Sequence, residues 1–153
     1  MIDALSSAAA LSRFASPVES FGSLDSQTAA TLILTASDVA LVVDNQGVIV
    51  DAAFSNPDLA KEAYRDWIGR RWVDTVTIES RPKIEELIRD TAAHVPSRWR
   101  QVNYPVGAGP DVPVRYSAIR FGADRRMIAV GRDLRAMAAL QQRLIEALSL
   151  IHI

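Results

Sequence analysis

Two histidines, His94 and His152, are the only imidazoles in this chain, and it has no cysteine. A nucleophile needs an adjacent base, and a metal site needs several convergent nitrogen, sulfur or carboxylate ligands. Two distant imidazoles meet neither need, and the aspartates and glutamates are scattered through polar segments without visible pairing. The lack of cysteine removes disulfides, thiolate metal sites, cysteine nucleophiles and thiol redox switching. "GAGP" at residues 107–110 lies between two alternating apolar runs with no helix pattern after it, so it lacks the setting of a phosphate-cradling loop. The chain reads as a non-enzyme, with no catalytic or metal-ligating residue assigned.

Binding chemistry has better candidates. Tyr64, Trp67 and Trp72 could line a pocket for a flat ligand, although aromatics at such spacings more often pack a core, and packing is the preferred reading. Arg98-Trp99-Arg100 joins charge to a stacking ring, as grooves for single-stranded nucleic acid do. The formal net charge of −1 argues against a grip on phosphate backbone, so the triplet reads as a solvated face or partner contact.

Apolar residues without a partner are the stronger signal. Leu32, Ile33 and Leu34 precede the first strand, and Met137, Leu140 and Leu144 follow the last one at helical spacing. Unpaired apolar surface of this kind marks an interface. Asp133 is a good N-cap for the second of these helices, and Arg132 and Arg135 flank it, placed to carry polar contacts between sheet and helix.

The elements that must position these residues are legible in turn. The 153 residues suit one domain with some additional chain, and 49% hydrophobic with 23% charged residues is the profile of a globular protein. Residues 1–22 are Ala/Ser-rich, lack the cationic start of a secretory signal, and read as a flexible arm. Residues 23–38 form a helix capped by Ser23 or Asp25. "VALVVDNQGVIVDA" (39–52) is a hairpin, with strands 39–43 and 48–52 around the turn Asp44-Asn45-Gln46-Gly47.

Asn56-Pro57 then opens short helical pieces that run to Gly69. Residues 79–94 form the clearest helix, with Ser80 as cap, Pro82 in the first turn, and Ile84, Leu87 and Ile88 on one side. Strands follow at 97–106, 112–121 and 127–131. Together these predict an α+β domain over 39–132, a five-stranded antiparallel sheet with helices on one face and flanking helices at both ends. Residues 133–147 form the exit helix, whose stripe suits a two-helix seam of under three heptads. "LSLIHI" (148–153) abandons that rhythm and reads like a translated sequencing adapter, so it is set apart from the fold. No apolar run reaches the roughly 18 residues of a membrane span, and a cytoplasmic protein is expected.

The order hairpin, Asn56, small helices, "IGRR" (68–71), longer helix, three strands and an exit at "GRDLR" (131–135) resembles a PAS domain. "DRRMIAVGRDLRAMAALQQRL" (124–144) and "TASDVALVVDNQGVIVDAAFSNP" (35–57) resemble, more narrowly, the first PAS domain and Gln-rich linker of the PpsR/CrtJ photosynthesis repressors. The resemblance implies an N-terminal sensory and oligomerisation module of a repressor of photosynthesis genes. It further implies a homo-oligomer, dimer or higher, a flavoprotein antirepressor, and DNA binding only through a C-terminal helix-turn-helix absent from this segment. PAS domains also hold haem or flavin between the long helix and the sheet. The flavin-adduct chemistry needs a cysteine, and haem would call on His94 just past the long helix, but no cofactor is assigned. The alternative is a ligand- or cofactor-binding sensory PAS domain of a signalling kinase or another regulator.

Overall fold

A computed structural model describes residues 13–151. Residues 1–12 of the expected arm and His152 lie outside the described residues, as does the side chain of Tyr64. The chain divides into two units, Met1–Thr31 and Leu32–Ile153. The first carries a short helix, α1 (Pro17–Phe21), within what the sequence suggested was arm. Helix α2 (Ser26–Thr35) follows, and Asp25 is its cap: its carboxylate accepts from the Thr28 N–H at 2.7 Å. Hydrogen bonds from Thr28, backbone first and then side chain, hold the Asp25 carboxyl below its ordinary value.

The second unit is built on a five-stranded antiparallel sheet in the order β2-β1-β5-β4-β3. Its strands are β1 (Val39–Val43), β2 (Ile49–Phe54), β3 (Arg100–Tyr104), β4 (Val112–Phe121) and β5 (Arg126–Asp133). The β1–β2 corner follows from Asp44, whose carboxylate accepts from Gln46 N–H at 2.9 Å and Val48 N–H at 3.0 Å. Gly47 completes the turn at φ +83°, a conformation side chains resist.

Alternation then sorts the residues onto two faces. Val39, Leu41, Val43, Ile49, Val102, Tyr104, Val114, Tyr116, Ala118, Met127 and Ala129 are buried on the inner face. The roof over them is α3 (Pro57–Trp67), two 3-10 turns (Trp72–Asp74 and Ile78–Ser80) and α4 (Arg81–Asp90). Among the described residues Leu59, Trp67, Trp72, Val76, Ile84 and Leu87 are buried apolar residues of the roof. Each large side chain so covered contributes about 1.5–3 kcal/mol. Helix α5 (Arg135–Ile151) leaves the sheet at the end of β5.

Several boundaries differ from the sequence reading, each for a local reason. The long helix spans Arg81–Asp90, not 79–94, because Thr91 turns to extended backbone and closes the last turn with its hydroxyl on the Ile88 carbonyl. Ser80 occupies the N-cap position but makes no capping hydrogen bond; its Oγ instead accepts from the Asn103 N–H of β3 at 2.8 Å. The third strand shortens to Arg100–Tyr104, since upstream Ser97 docks on β4 through its own side chain, Oγ accepting from Ala118 N–H at 2.9 Å. The fifth strand lengthens to Arg126–Asp133, because it is paired along both edges, to β1 and to β4. Helix α5 continues through Leu148–Ile151, the first part of the tail that the sequence reading set apart.

Candidate functional site

The space between sheet and roof is packed with aromatic rings. Trp67, at the end of α3, stacks on Tyr104 with centroids 4.3 Å apart, and Trp72 meets Tyr116 edge-on at 5.2 Å. Their polar atoms satisfy one another: Trp72 Nε1 donates to Tyr104 Oη at 3.1 Å, and the Tyr104 and Tyr116 hydroxyls lie 2.7 Å apart. Burial away from water penalises the phenolates and pushes both tyrosine hydroxyls well above their ordinary value, so both stay neutral. The sequence offers Trp67 and Trp72 as core aromatics and shows Tyr104 and Tyr116 only as one-face positions of two strands, without linking them to the tryptophans. The available signal was the place of the tyrosines on one face of two adjacent strands, with Tyr104 and Tyr116 each alternating with valines.

A second cluster sits where the sheet hands over to α5. The Asp133 side chain is only 5% exposed. It accepts from the backbone N–H of Arg135 at 3.0 Å, which caps α5, and from the Arg135 guanidinium at 2.7 Å. Asn56 Nδ2 donates to the same carboxylate at 3.3 Å, while Asn56 Oδ1 caps α3 by accepting from Asp58 N–H at 3.0 Å. The Asp133 backbone N–H in turn donates to Asp38, just before β1, at 2.7 Å. One carboxylate therefore joins β5, the start of α3 and the first turn of α5, while its own backbone N–H ties in the residue before β1. Arg135 and Asp133 are brought together. Arg132 is exposed on the other face and lines a cleft.

The remaining candidates lie on the outside. Leu32 is 55% exposed, and Ile33 and Leu34 are half-buried. Leu32, Ile33, Trp99, Val130 and Arg132 line an apolar cleft of about 380 Å3. Beside it the outer face of the sheet is apolar at its centre, with Ala40 paired to Val130, and Val42 and Ile119 both paired to Ile128. Met137, Leu140 and Leu144 are each more than half exposed along α5, and Ile145 and Leu148 extend that surface.

The basic triplet does not act as a unit. Arg100 is held by Glu86 and Asp90, both at 3.0 Å, while Trp99 lies under the Arg115 guanidinium at 5.2 Å. His94 is exposed and lies past the end of α4, lining an outside cleft and not the aromatic interior. Among the described residues no group of three or more His, Cys, Asp or Glu side chains is placed to hold a metal ion.

Solved structures that share this arrangement include PAS domains. That of an HTR-like protein from Haloarcula marismortui superimposes with a TM-score of 0.54 at 17% identity, covering 70% of this chain and 92% of that one. The PAS domain of BvgS from Bordetella pertussis gives 0.51 at 16% identity, covering 80% and 96%. The domain has the PAS fold. The Drosophila melanogaster Cycle PAS-B domain, solved with bound ethylene glycol, gives 0.50 at 8% identity, covering 62% of this chain and 98% of that one.

In sequence, this chain resembles Protein CrtJ of Rhodobacter capsulatus, with 32% identity over 120 residues, 77% of this chain and 25% of that protein. The chain thus spans about a quarter of the length of the curated relative it matches. No family model matches it. Among the described residues no helix is long and apolar enough to cross a membrane.

Proposed function

We propose that this chain is a non-catalytic PAS module of a CrtJ-type repressor of photosynthesis genes, and that its work is self-association coupled to the helix that leaves it. The observation that carries this reading is the junction at Asp133. A nearly buried carboxylate ties sheet, α3 and α5 together, and the helix it caps presents Met137, Leu140 and Leu144 to solvent. A rod so anchored moves with the sheet, and an apolar stripe on it is covered by a second helix at little cost. The half-buried face formed by Val42, Ile119, Ile128 and Val130, with Leu32 and Ile33 beside it, gives a second surface for the same copy.

DNA binding and any flavoprotein antirepressor contact belong, on this reading, to a whole protein of which this chain matches a quarter. The division into arm, helix 23–38, PAS core 39–132 and linker helix 133–147 follows the same proposal. The competing reading, a cofactor sensor of a signalling kinase, needs open space between sheet and roof, where Trp67, Trp72, Tyr104 and Tyr116 interlock.

Light scattering tests the reading. The chain is expected to be a dimer or larger at micromolar concentration, and Leu140→Asp with Leu144→Asp is expected to shift it toward monomer without loss of fold. A monomeric parent chain, or a double variant that stays fully associated, overturns the role of α5.

A further inference from the structure

Two residues without glycine's freedom adopt left-handed backbone among the described residues, His94 at φ +64° and Arg125 at φ +60°. They come from different elements, the segment after α4 and the β4–β5 turn, yet both line one cleft of about 590 Å3. A side chain at positive φ costs on the order of 1–2 kcal/mol that glycine would avoid. Among the described residues neither side chain has a hydrogen-bond or ion-pair partner that would offset this. Arg120 stands between them, donating to the Arg125 carbonyl at 2.7 Å and to the Ile88 carbonyl at 3.3 Å. Its guanidinium is thereby fixed, satisfies a carbonyl near the end of α4, and keeps further donors and its whole charge. Among the described residues no carboxylate pairs with Arg120 or Arg125, and Asp124 in the same turn is engaged by Arg126 at 2.9 Å.

Ile119 and Phe121 supply apolar surface in the same cleft, Phe121 being 41% exposed. Convergent donors beside an apolar wall, in a cleft within the roughly 300–1,000 Å3 range of ligand sites, suit one chemistry. We propose that this cleft binds a small organic anion. Its carboxylate or phosphate group sits among His94, Arg120 and Arg125, and its apolar body rests on Ile119 and Phe121. The site is on the outside of the domain, away from α5, and meets the outer face of the sheet at Ile119. Bridging the segment after α4 to the β4–β5 turn, such a ligand would stiffen the edge of the roof.

The test is an amide NMR titration of the whole chain with benzoate, phenyl phosphate and inorganic phosphate. Saturable shifts confined to residues 92–94 and 119–125, with at least one aromatic anion binding more tightly than inorganic phosphate, support the site. If benzoate alone binds, the ligand is a carboxylate; if phenyl phosphate alone, a phosphate ester.

His94→Gly and Arg125→Gly remove the side chains while keeping backbone that glycine adopts freely. Their combination is expected to weaken binding by about tenfold or more, the fold-change of one lost charge-assisted hydrogen bond. Arg98→Ala, an exposed cation off the cleft, is expected to leave binding unchanged. Scattered or non-saturating shifts, equal binding of inorganic phosphate, or full affinity in the double variant would overturn the proposal.

Discussion

The Asn56 side-chain amide donates to the Asp133 carboxylate at 3.3 Å, tying the cap of α3 to the cap of α5. Each residue caps its own helix and bonds the other, so damage at either is felt at both. Asp133→Ala removes a helix cap and leaves the donors of Asn56 and Arg135 without their acceptor. It is expected to cost about 2–4 kcal/mol by urea denaturation, a cap and a partly buried charge-assisted network together. Asn56→Ala is expected to cost about 1–2 kcal/mol alone and less in the Asp133→Ala background. Strict additivity of the two would show that the bond between them contributes nothing.

Gly131 is required by space rather than by backbone angle. A Cβ there would stand 2.6 Å from Tyr116 Cε1 and 2.7 Å from Val39 Cγ1, both inner-face side chains on the neighbouring strands. Neither can retreat, since both are fully buried. Gly131→Ala is expected to destabilise the domain by about 1–3 kcal/mol, the usual cost of overpacking a close-fitted core. A thermal midpoint equal to that of the parent chain would refute this packing argument.

Ser80 offers a test of what a residue in a cap position does. Its Oγ accepts from Asn103 N–H at 2.8 Å and from Thr77 Oγ1 at 2.9 Å, and not from its own helix. Ser80→Ala should therefore leave a part-buried backbone donor of β3 unpaired, at a cost of about 1–3 kcal/mol. Amide hydrogen exchange locates the damage: faster exchange at Asn103 with an unchanged first turn of α4 is expected. The reverse pattern would restore Ser80 as a cap.

The sheet was legible because its signals are local. Alternation marked the third and fourth strands, short apolar runs marked the other three, and Asp44 through Gly47 marked the corner; β5 falls in the middle of the sheet, paired on both sides. Boundaries escaped where a side chain's partner is distant in sequence. Ser80 looked like a cap because the helix beside it is visible in the sequence and Asn103 is not adjacent to it. Asn56 and Asp133 were each read as markers of a helix start, correctly for both, but their mutual bond spans the whole domain. Tyr104 and Tyr116 appeared as two apolar positions of two strands; only pairing of β3 with β4 brings their hydroxyls together above Trp72. The cleft at His94, Arg120 and Arg125 was invisible for a further reason, since left-handed backbone at His94 and Arg125 has no sequence signature as strong as glycine's.

The buried tyrosine pair makes stability fall at alkaline pH. Tyr104 and Tyr116 are held above the ordinary phenol value of 10.0, chiefly by desolvation, whereas in the unfolded chain they ionise near it. Above that pH the unfolded state binds fewer protons than the folded one, so the free energy of unfolding decreases as pH rises. The stabilisation is intact below about pH 10 and is lost progressively above it, by up to about 1.4 kcal/mol per pH unit for each group. Urea midpoints taken from about pH 9 to about pH 11 measure this slope. Replacing both residues, Tyr104→Phe with Tyr116→Phe, is expected to lower stability at neutral pH, because Trp72 Nε1 loses its acceptor, and also to flatten the alkaline slope. The two effects separate the hydrogen bond from the titration. A double variant that keeps the parent's slope would place the alkaline transition elsewhere in the molecule.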